Sequence, residues 1–212
     1  MRIGIIGSGN IGGTLVKLWA AADHEVMVSN SRGPESLAPL VAEAGTRARA
    51  GTVSEAATFG EVVVLAIPFG KYEVLPASEL SGKIVIDAMN YFPRRDGEMD
   101  MGGLTDTELV ARHLARSRVV KAFNTIGAQL LADGGRPSTP LEEREVIFVA
   151  GDDSGAKDLV SGLIEELGFA PVDAGSLRQG CPKMQLGTAV FSRPMTPARA
   201  NEVLSASSER SE

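Results

Sequence analysis

The chain has 212 residues, of which 43% are hydrophobic, and a formal net charge of −6 at pH 7. This length suits one large domain, alone or with a small appendage, and the net charge argues against a nucleic-acid partner. A single cysteine, Cys181, excludes an internal disulfide and indicates a reducing compartment. No apolar run approaches the roughly 20 residues of a membrane span. We therefore expect a cytoplasmic protein without nucleic-acid or membrane partners.

The chain opens on a short apolar strand, followed by GSGNIG at residues 7–12, an amphipathic helix and a second strand. A GxGxxG sequence in this strand–turn–helix–strand context predicts dinucleotide binding; a purely structural glycine turn is the alternative. Gly7 permits the tight turn, Gly9 lets the backbone approach a pyrophosphate, and Gly12 lets the helix pack closely on the strand. The helix dipole and the N–H groups at the helix start favour phosphate charge.

The second strand ends in Ser29-Asn30-Ser31-Arg32. An NAD-binding protein usually has Asp or Glu here, which holds the ribose 2′-hydroxyl, and this chain has none. A guanidinium beside hydroxyl and amide groups suits a 2′-phosphate, because Arg forms charge-assisted, forked hydrogen bonds. The pattern favours NADP over NAD. The alternative is that Arg32 is a solvated cation and Asn30 a turn residue.

Apolar runs alternate with helical segments along the rest of the chain, and their near-continuous Val and Ile content indicates strands covered on both faces, as in a parallel sheet. Strands are predicted at residues 2–6, 25–29, 47–50, 62–67, 83–87, 118–122, 146–150 and 170–172. After the first helix, further helices are predicted at residues 34–44, 54–58, 105–115, 153–167 and 197–206. The alternation predicts an α/β fold with a doubly wound, mainly parallel sheet.

Ligands of such sheets bind beyond the carboxyl ends of the strands, where the strand order reverses. The segments expected there are Gly7–Gly12, Asn30–Arg32, Ile67–Phe69, Ala88–Asn90 and Phe123–Thr125. The non-periodic segment 90–103 follows one of these strand ends, so it is a candidate substrate loop.

Several of these pieces resemble one family. They are GSGNIGG at residues 7–13, the loop Ser29–Arg32, Ala66-Ile67-Pro68, Val119–Ile126, Gly151-Asp152 with Ala156-Lys157, and Gly168–Leu177. On these stretches, spread over about residues 1–180, the chain resembles the NADP oxidoreductases that depend on the deazaflavin coenzyme F420. It is also similar to the cytosolic oxidoreductase domain of the membrane metalloreductases called STEAP.

The resemblance implies a Rossmann-type domain, which we place at residues 1–175, and a small C-terminal extension at residues 176–212. The extension would pack on that domain or on the partner of a homodimer. The resemblance also implies that the glycine loop holds the pyrophosphate, that the loop after the second strand holds the 2′-phosphate, and that two later turns flank the nicotinamide. The expected cofactor-binding residues are Gly7, Ser8, Gly9, Asn10, Ile11, Gly12, Asn30, Ser31, Arg32, Ala66, Ile67, Pro68, Asn90, Asn124 and Thr125.

The function implied is hydride transfer between NADP(H) and a small-molecule acceptor, either F420 or a flavin such as FMN or FAD. The loop that starts at Asp87 looks more like the metalloreductase version, so the acceptor stays open. Two alternatives are a reductase of a small imine or carbonyl substrate and a non-catalytic NADPH-binding regulator. Because the cofactors carry the chemistry, no catalytic side chain is expected, and we assign structural roles to His24 and His113. Two such histidines and one cysteine support no zinc site.

Some side chains carry more specific hypotheses. On the acceptor side we expect Phe69 as a stacking wall and Tyr91, Arg94 and Arg95 as polar contacts, with a solvated loop pair as the alternative for the two arginines.

Three other polar residues have two interpretations each. Asp87 could orient the nicotinamide carboxamide or cap the following turn, and Lys121 could reach a phosphate or pair with Asp87. Cys181 is more often incidental than reactive in such a loop.

Overall fold

The structure, a computed structural model, describes the backbone of residues 1–208 and the side chains through residue 206. The last part of the predicted extension, residues 209–212, lies outside the described residues. One eight-stranded sheet forms the centre of the fold. Its strands are β1 (Arg2–Ile6), β2 (Glu25–Ser29), β3 (Ala48–Ala50), β4 (Val62–Leu65), β5 (Ile84–Asp87), β6 (Arg118–Ala122), β7 (Val146–Gly151) and β8 (Ala170–Gly175).

The strands lie side by side in the order β3-β2-β1-β4-β5-β6-β7-β8. The first six run parallel, and the order reverses between β1 and β4, as in a Rossmann sheet. The fold is therefore α/β and Rossmann-type, as the sequence predicts. The reversal opens a crevice at the carboxyl ends of β1 and β4, which is where such sheets bind ligands.

One pairing differs from the pattern expected for buried runs. β7 is antiparallel to β6, although it pairs parallel to β8. All six residues of β7 are buried, as the apolar run predicts. A continuous apolar sequence shows that a strand is covered on both faces, but it does not depend on the direction of the strand. The sequence of β7 therefore could not distinguish a parallel from an antiparallel pairing with β6.

Helices cover both faces of the sheet. They are α1 (Asn10–Ala21), α2 (Ala38–Ala44), α3 (Val53–Phe59), α4 (Ala77–Leu80), α5 (Pro93–Asp96), α6 (Asp106–His113), α7 (Ala128–Asp133), α8 (Ser154–Glu166), α9 (Leu177–Gly180) and α10 (Pro197–Ser208). The capping-box sequence predicted at the start of α6 is formed, since Thr105 accepts from the Glu108 N–H and Glu108 accepts from the Thr105 N–H. No helix within residues 1–208 is both long and apolar enough to span a bilayer.

Several predicted elements have different limits in the structure; among them, the strand predicted over residues 170–172 continues to Gly175. The strand predicted over residues 62–67 ends at Leu65, which leaves Ala66 and Ile67 in the loop at its carboxyl end. The helix predicted over residues 34–44 is divided into a 3₁₀ turn, Pro34–Leu37, and α2. Pro39 lies in the first turn of α2, the position where a missing N–H is tolerated.

Three apolar clusters hold the layers together. One face of the sheet buries Trp19 of α1 against Phe123, edge to face at 5.7 Å between ring centroids. The other face buries Phe69 and Leu109. The third cluster joins β7 and β8 to the segment that follows them, through Cys181, Met184 and Leu204 among others. This third cluster fixes the segment after β8 beside the carboxyl end of β6.

Candidate functional site

The glycine turn after β1 has the geometry that its sequence predicts. Gly7 has φ +114°, and a Cβ there would lie 2.3 Å from the carbonyl oxygen of Ala66. Its N–H donates to the carbonyl oxygen of Ser29 at 2.9 Å, which joins the ends of β1 and β2. Only glycine fits this combination of dihedral angle and close approach.

Gly9, at the N-cap of α1, has different surroundings. Its φ of −72° is open to any L-residue, and a Cβ there would meet no protein atom within 4 Å. No side chain caps the first turn of α1, so the N–H groups at its start face the surface of the crevice. The fold itself therefore does not require a glycine at this position.

The loop after β2 is organised by one amide side chain. Asn30 donates from Nδ2 to Oγ of Ser8 at 3.2 Å and to Oγ of Ser36 at 2.9 Å, and its Oδ1 accepts from the Arg32 N–H at 2.9 Å. Asn30 thus connects the glycine turn to the loop that carries Ser31 and Arg32. Because its polar atoms are engaged with protein groups, its role is to position this loop.

A cavity of about 520 Å³ lies between these two loops and the segment after β4. Among the residues that the structure describes, the only ionisable ones that line it are the cations Arg32 and Lys71, and both are exposed. Neither forms an ion pair with any residue in the described part of the chain. Lining by two unpaired cations without a carboxylate suits an anionic group.

A second cleft of about 490 Å³ adjoins the first, and the two share the lining residues Gly9, Ala66, Ile67 and Pro68. Its other lining residues are Asn10, Ile11, Ala88, Met89, Asn90, Phe92, Arg95, Phe123, Asn124, Ile126, Ala128, Phe191 and Ser192. Its walls are mainly apolar, with amide groups from Asn90 and Asn124. Such a cleft suits a planar ring with a few hydrogen-bonding substituents.

Asn90 and Asn124 form a reciprocal pair across the ends of β5 and β6. Asn90 Nδ2 donates to the Asn124 carbonyl oxygen at 2.9 Å, and Asn124 Nδ2 donates to Asn90 Oδ1 at 3.0 Å. Asn124 Nδ2 also donates to the carbonyl oxygen of Met184 at 2.9 Å. With these two donors used, Oδ1 of Asn124 is buried and has no hydrogen-bond partner. A buried acceptor without a partner is rare in folded proteins, which sets Asn124 apart from the other polar residues of the cleft.

The backbone that presents Asn124 is strained. Phe123 has φ +62°, in the left-handed region that non-glycine residues seldom adopt. Burial of its ring against Trp19 holds this conformation. The next turn is fixed by the C-terminal segment, because the Ser192 N–H donates to the carbonyl oxygen of Thr125 at 2.8 Å. Strained residues of this kind cluster at ligand sites.

A buried ionic cluster lies beneath the second cleft. Lys121 Nζ lies 3.2 Å from Asp87 Oδ2 and 3.4 Å from Asp106 Oδ2, and all three side chains are almost fully buried. Burial alone lowers the pKa of Lys121, but the two carboxylates outweigh it and raise that pKa. Burial raises the pKa of Asp87, with the Lys121 charge acting against the shift. Of the two interpretations for Lys121, its pairing with Asp87 is confirmed, and Asp87 accepts from the Met89 N–H as a turn cap.

Most of the predicted cofactor residues come together along this edge. The first cavity is lined by Gly7, Ser8, Gly9, Asn30, Ser31, Arg32, Ala66, Ile67 and Pro68, and the second by Gly9, Asn10, Ile11, Ala66, Ile67, Pro68, Asn90 and Asn124. Gly12 and Thr125 line neither. Gly12 is buried behind the turn, and Thr125 is buried next to Ser192.

The prediction of Phe69 as a stacking wall is wrong. After Pro68 the chain turns into a 3₁₀ helix, Phe69–Val74, whose first residue is fully buried and stacks on Tyr72 at 5.1 Å. Phe69 is therefore a core residue beneath the cleft.

The acceptor-side residues of the loop have internal partners. Arg95 donates to Asp96 and to the carbonyl oxygen of Asn90, and its guanidinium lies 4.9 Å from the centroid of the Phe92 ring. Tyr91 donates to the carbonyl oxygen of Gly97. Arg94 is exposed and lines neither cleft. Arg95 lines the second cleft and pairs with Asp96, while its side chain is 43% exposed, so both interpretations, an anion contact and a solvated loop cation, stay open.

The histidines and the cysteine have structural surroundings. His24 contacts Glu166 at 2.8 Å at the far end of the sheet, and His113 contacts the carbonyl oxygen of Leu75 at 3.0 Å. Burial raises the pKa of the Cys181 thiol to about 12. A thiol that stays protonated at neutral pH is a poor nucleophile, so the reactive interpretation of Cys181 is wrong. Among residues 1–208, no three His, Cys, Asp or Glu side chains are grouped to hold a metal ion.

Sequence reasoning missed residues that reach the site from a distance. Lys71 lines the first cavity from the 3₁₀ helix Phe69–Val74, which no hydrophobic periodicity in the sequence predicts. Phe191 and Ser192 reach the second cleft from the segment after β8. Of these three residues, only Lys71 could have been predicted to lie at the site, because it is three residues after Pro68, at the end of a predicted strand.

Comparisons with known proteins agree with this architecture. Residues 2–91 match the family described as NADP oxidoreductase coenzyme F420-dependent. The metalloreductase STEAP3 of Rattus norvegicus is 31% identical over 178 residues, which are 83% of this chain and 34% of that protein. The chain thus spans about a third of the length of this curated relative.

Two solved structures match nearly the whole chain. The hypothetical protein SMa0349 from Sinorhizobium meliloti is 35% identical, with a TM-score of 0.81 over 92% of this chain and 95% of that one. A candidate F420-dependent NADP reductase from Arthrobacter sp. FB24 is 25% identical, with a TM-score of 0.73 over 92% of this chain and 99% of that one. The resemblance stated from the sequence is confirmed: the part of the chain that carries the glycine turn and the loops after β2 and β4, residues 2–91, matches the F420-dependent NADP oxidoreductase family.

Proposed function

We propose that this protein binds NADP(H) along the carboxyl edge of β1 and β4 and catalyses hydride transfer between NADP(H) and a ring of the deazaflavin or flavin class. The match to an NADP oxidoreductase family supports the general reaction. The site residues support the choice of nucleotide and the place of each of its parts.

Gly9 is the observation that carries the proposal. The fold leaves room for a Cβ at this position, and yet the residue is glycine. Gly9 lies at the start of a helix whose first N–H groups have no side-chain cap. A pyrophosphate held against these N–H groups occupies the space that a Cβ would fill. Glycine is one of several residues that suit an N-cap, and a bound diphosphate is the reason for having no side chain at all here.

The first cavity suits the adenosine half of the nucleotide. Arg32, Ser31 and Lys71 all line it, so two cations and a hydroxyl are available to a ribose 2′-phosphate. Val53, Val74 and Leu75 provide apolar contacts for the adenine ring. The absence of a lining carboxylate removes the group that NAD-binding proteins use for the 2′-hydroxyl.

The second cleft suits the nicotinamide. The unpartnered Oδ1 of Asn124 is an acceptor for the carboxamide N–H₂, and Ile11, Ile67 and Phe123 offer apolar contacts to the ring. The bound nicotinamide supplies the hydride, so the protein has to bind, orient and desolvate rather than transfer a proton. Apolar walls and hydrogen-bonded amides provide these functions without an acid or a base.

The acceptor class follows from the same cleft. Hydride transfer requires rings stacked about 3–3.5 Å apart. The cleft is lined by the glycine turn, by the loop after β5 and by Phe191, and its volume of about 490 Å³ leaves room for a flat ring system over the nicotinamide position. Both kinds of acceptor take up a proton together with the hydride. A deazaflavin or flavin takes it at a ring nitrogen that exchanges with water, whereas a small imine or carbonyl needs a donor at its own nitrogen or oxygen. The only ionisable residue that lines this cleft in the described chain is Arg95, so the cleft favours the ring acceptor.

The test is NADPH oxidation at 340 nm with F420, FMN or FAD as the acceptor, in parallel with a set of cyclic imines and aldehydes. We expect turnover with F420 or a flavin, and loss of turnover in Gly9→Ala. Tight NADPH binding without turnover on any acceptor supports the regulator instead, and turnover on imines alone supports the small-substrate reductase. A homodimer and a cytoplasmic location stay predictions; sedimentation equilibrium tests the first.

A further inference from the structure

The buried cluster of Lys121, Asp87 and Asp106 lines neither of the two clefts. Its hydrogen bonds nevertheless end on the backbone segment that forms part of the second cleft. Lys121 Nζ donates to the carbonyl oxygen of Met89 at 2.6 Å, and Asp87 Oδ1 accepts from the Met89 N–H at 2.9 Å. Asp106 Oδ2 accepts from the Tyr91 N–H at 3.2 Å. The backbone groups on both sides of Asn90 are therefore held by ionised or partly ionised side chains.

This arrangement continues to Asn124. Asn90 and Asn124 share two reciprocal hydrogen bonds, so a shift of the Asn90 backbone also moves the side-chain amide of Asn124. The Oδ1 atom of that amide has no hydrogen-bond partner. Lys121 also lies on β6, three residues before Asn124. The cluster thus fixes both members of the amide pair, one through the segment Met89–Tyr91 and one through its own strand.

Stability does not explain why three ionisable groups are buried here. Desolvation of a buried ion pair costs about as much as the attraction returns, and uncharged replacements of similar volume are often neutral or stabilising. Buried charges that give little net stability can instead specify one geometry, and here the geometry specified is that of a cleft wall.

We propose that Lys121, Asp87 and Asp106 are positioning residues for hydride transfer, which hold the Asn90–Asn124 pair in register with the nicotinamide carboxamide. This inference rests on the proposed function for its catalytic consequence. Its structural part, that the cluster fixes the amide pair, holds for the protein without cofactor and is measurable there.

The decisive variant is Lys121→Met combined with Asp87→Asn, which removes the closest charge pair and keeps an acceptor for the Met89 N–H. Asp106 loses its cation in this variant but keeps the N–H donors of Tyr91 and Thr107. The single Lys121→Met leaves the Asp87 carboxylate without its nearest cation, so the double variant is the better folded of the two. The control is Lys157→Met, which breaks the 2.7 Å ion pair with Asp173 outside both clefts.

Two readouts are compared, beside thermal unfolding. The first is hydrogen exchange of the Asn90 and Asn124 side-chain amides by nuclear magnetic resonance without cofactor. We expect exchange on the order of 10-fold faster or more in the double variant and unchanged in the control. The second is NADPH-driven reduction of F420 and of FMN. We expect kcat to fall on the order of 10- to 100-fold, because misplacement by about 1 Å has effects of that size. NADPH affinity should stay within about threefold, since the nucleotide's other contacts persist.

A folded double variant with unchanged amide exchange and unchanged kcat overturns the proposal. If the double variant does not fold, Thr107→Val decides, because it retains all charges and removes only the Thr107 hydroxyl, which donates to Asp87 at 2.7 Å and lies 3.4 Å from Asp106 Oδ1. It should speed the amide exchange by a smaller factor, and no change would overturn the proposal. If the wild-type protein transfers no hydride to any acceptor, the proposed function fails, whereas the exchange readout still tests the positioning.

Discussion

Gly12 packs directly on Gly7: a Cβ built on Gly12 would lie 2.0 Å from the Gly7 carbonyl oxygen and 3.2 Å from the Cβ of Ala66. Gly12 is therefore a requirement of the fold, whereas Gly9, three residues earlier, is free of such contacts. The same motif thus contains glycines with two separable roles, one in packing and one in ligand approach.

Alanine at these two glycines should separate the roles. Gly12→Ala should lower the free energy of unfolding by about 1–3 kcal/mol or more, because its Cβ meets backbone rather than a flexible side chain. Gly9→Ala should change that free energy by less than about 1 kcal/mol and yet abolish NADPH binding. Urea unfolding and a fluorescence titration check the pair. Normal NADPH binding by Gly9→Ala would contradict the pyrophosphate assignment.

Arg32→Ala tests the choice of nucleotide. The loss of a charge-assisted hydrogen bond of about 1.5–3 kcal/mol should raise the Kd for NADPH about 10- to 150-fold and leave the Kd for NADH nearly unchanged. The control is Arg116→Ala, since Arg116 is exposed in the turn before β6, at the opposite end of the sheet. Equal losses for both nucleotides would place Arg32 at the pyrophosphate instead.

Lys71 should contribute to the same specificity, although it comes from a different element. Lys71→Gln should weaken NADPH binding by a smaller factor than Arg32→Ala, about 3- to 10-fold, because Lys is a point charge without a forked geometry. Lys71→Arg should restore most of the affinity. Isothermal titration with NADPH and NADH measures both. A loss that is identical for the two nucleotides would show that Lys71 contacts a group common to them.

These predictions mark the limit of what the sequence specifies. Local signals placed the glycine turn, the capping box at Thr105 and the carboxyl ends of β1, β2, β3, β5 and β6 correctly, because each depends on neighbouring residues. The errors concern contacts between distant segments. Phe69 follows a strand end, as a cleft residue would, but tertiary packing turns it into the core. The hydrogen bond from Asn124 to Met184 joins residues 60 positions apart, and no local pattern encodes it.

Asp96 should make the loop after β5 sensitive to acid. Burial favours its neutral form, but hydrogen bonds from Arg95 and the Phe92 N–H outweigh that effect and lower the pKa of Asp96. A carboxylate with a lowered pKa stabilises the folded state above its unfolded pKa of about 3.8, and the contribution is lost as the pH falls through the folded value.

Asp96→Asn should therefore cost about 1–2 kcal/mol at pH 7, and the difference from wild type should shrink below about pH 4. Thermal unfolding from pH 7 to pH 3 measures this, with Asp158→Asn on the exposed side of α8 as the control. A difference that stays constant across this range would show that the charge of Asp96 does not stabilise the loop.

Cys181 should be inert in the native protein. Its side chain is fully buried and burial raises its pKa to about 12, so a disulfide reagent should not react with it at pH 8 within minutes. One equivalent should react after unfolding in guanidinium chloride. Rapid modification of the native protein would show that the segment from Cys181 to Met184 opens.

The measurement that tests the central claim most directly is a calorimetric titration of the wild-type protein with NADPH and, separately, with NADH. We expect one site per chain for NADPH and an affinity about 10-fold or more above that for NADH, since the 2′-phosphate contributes charge-assisted hydrogen bonds. Equal affinities, or no heat of binding with either nucleotide, would contradict the claim that Arg32 and the glycine turn form an NADP site.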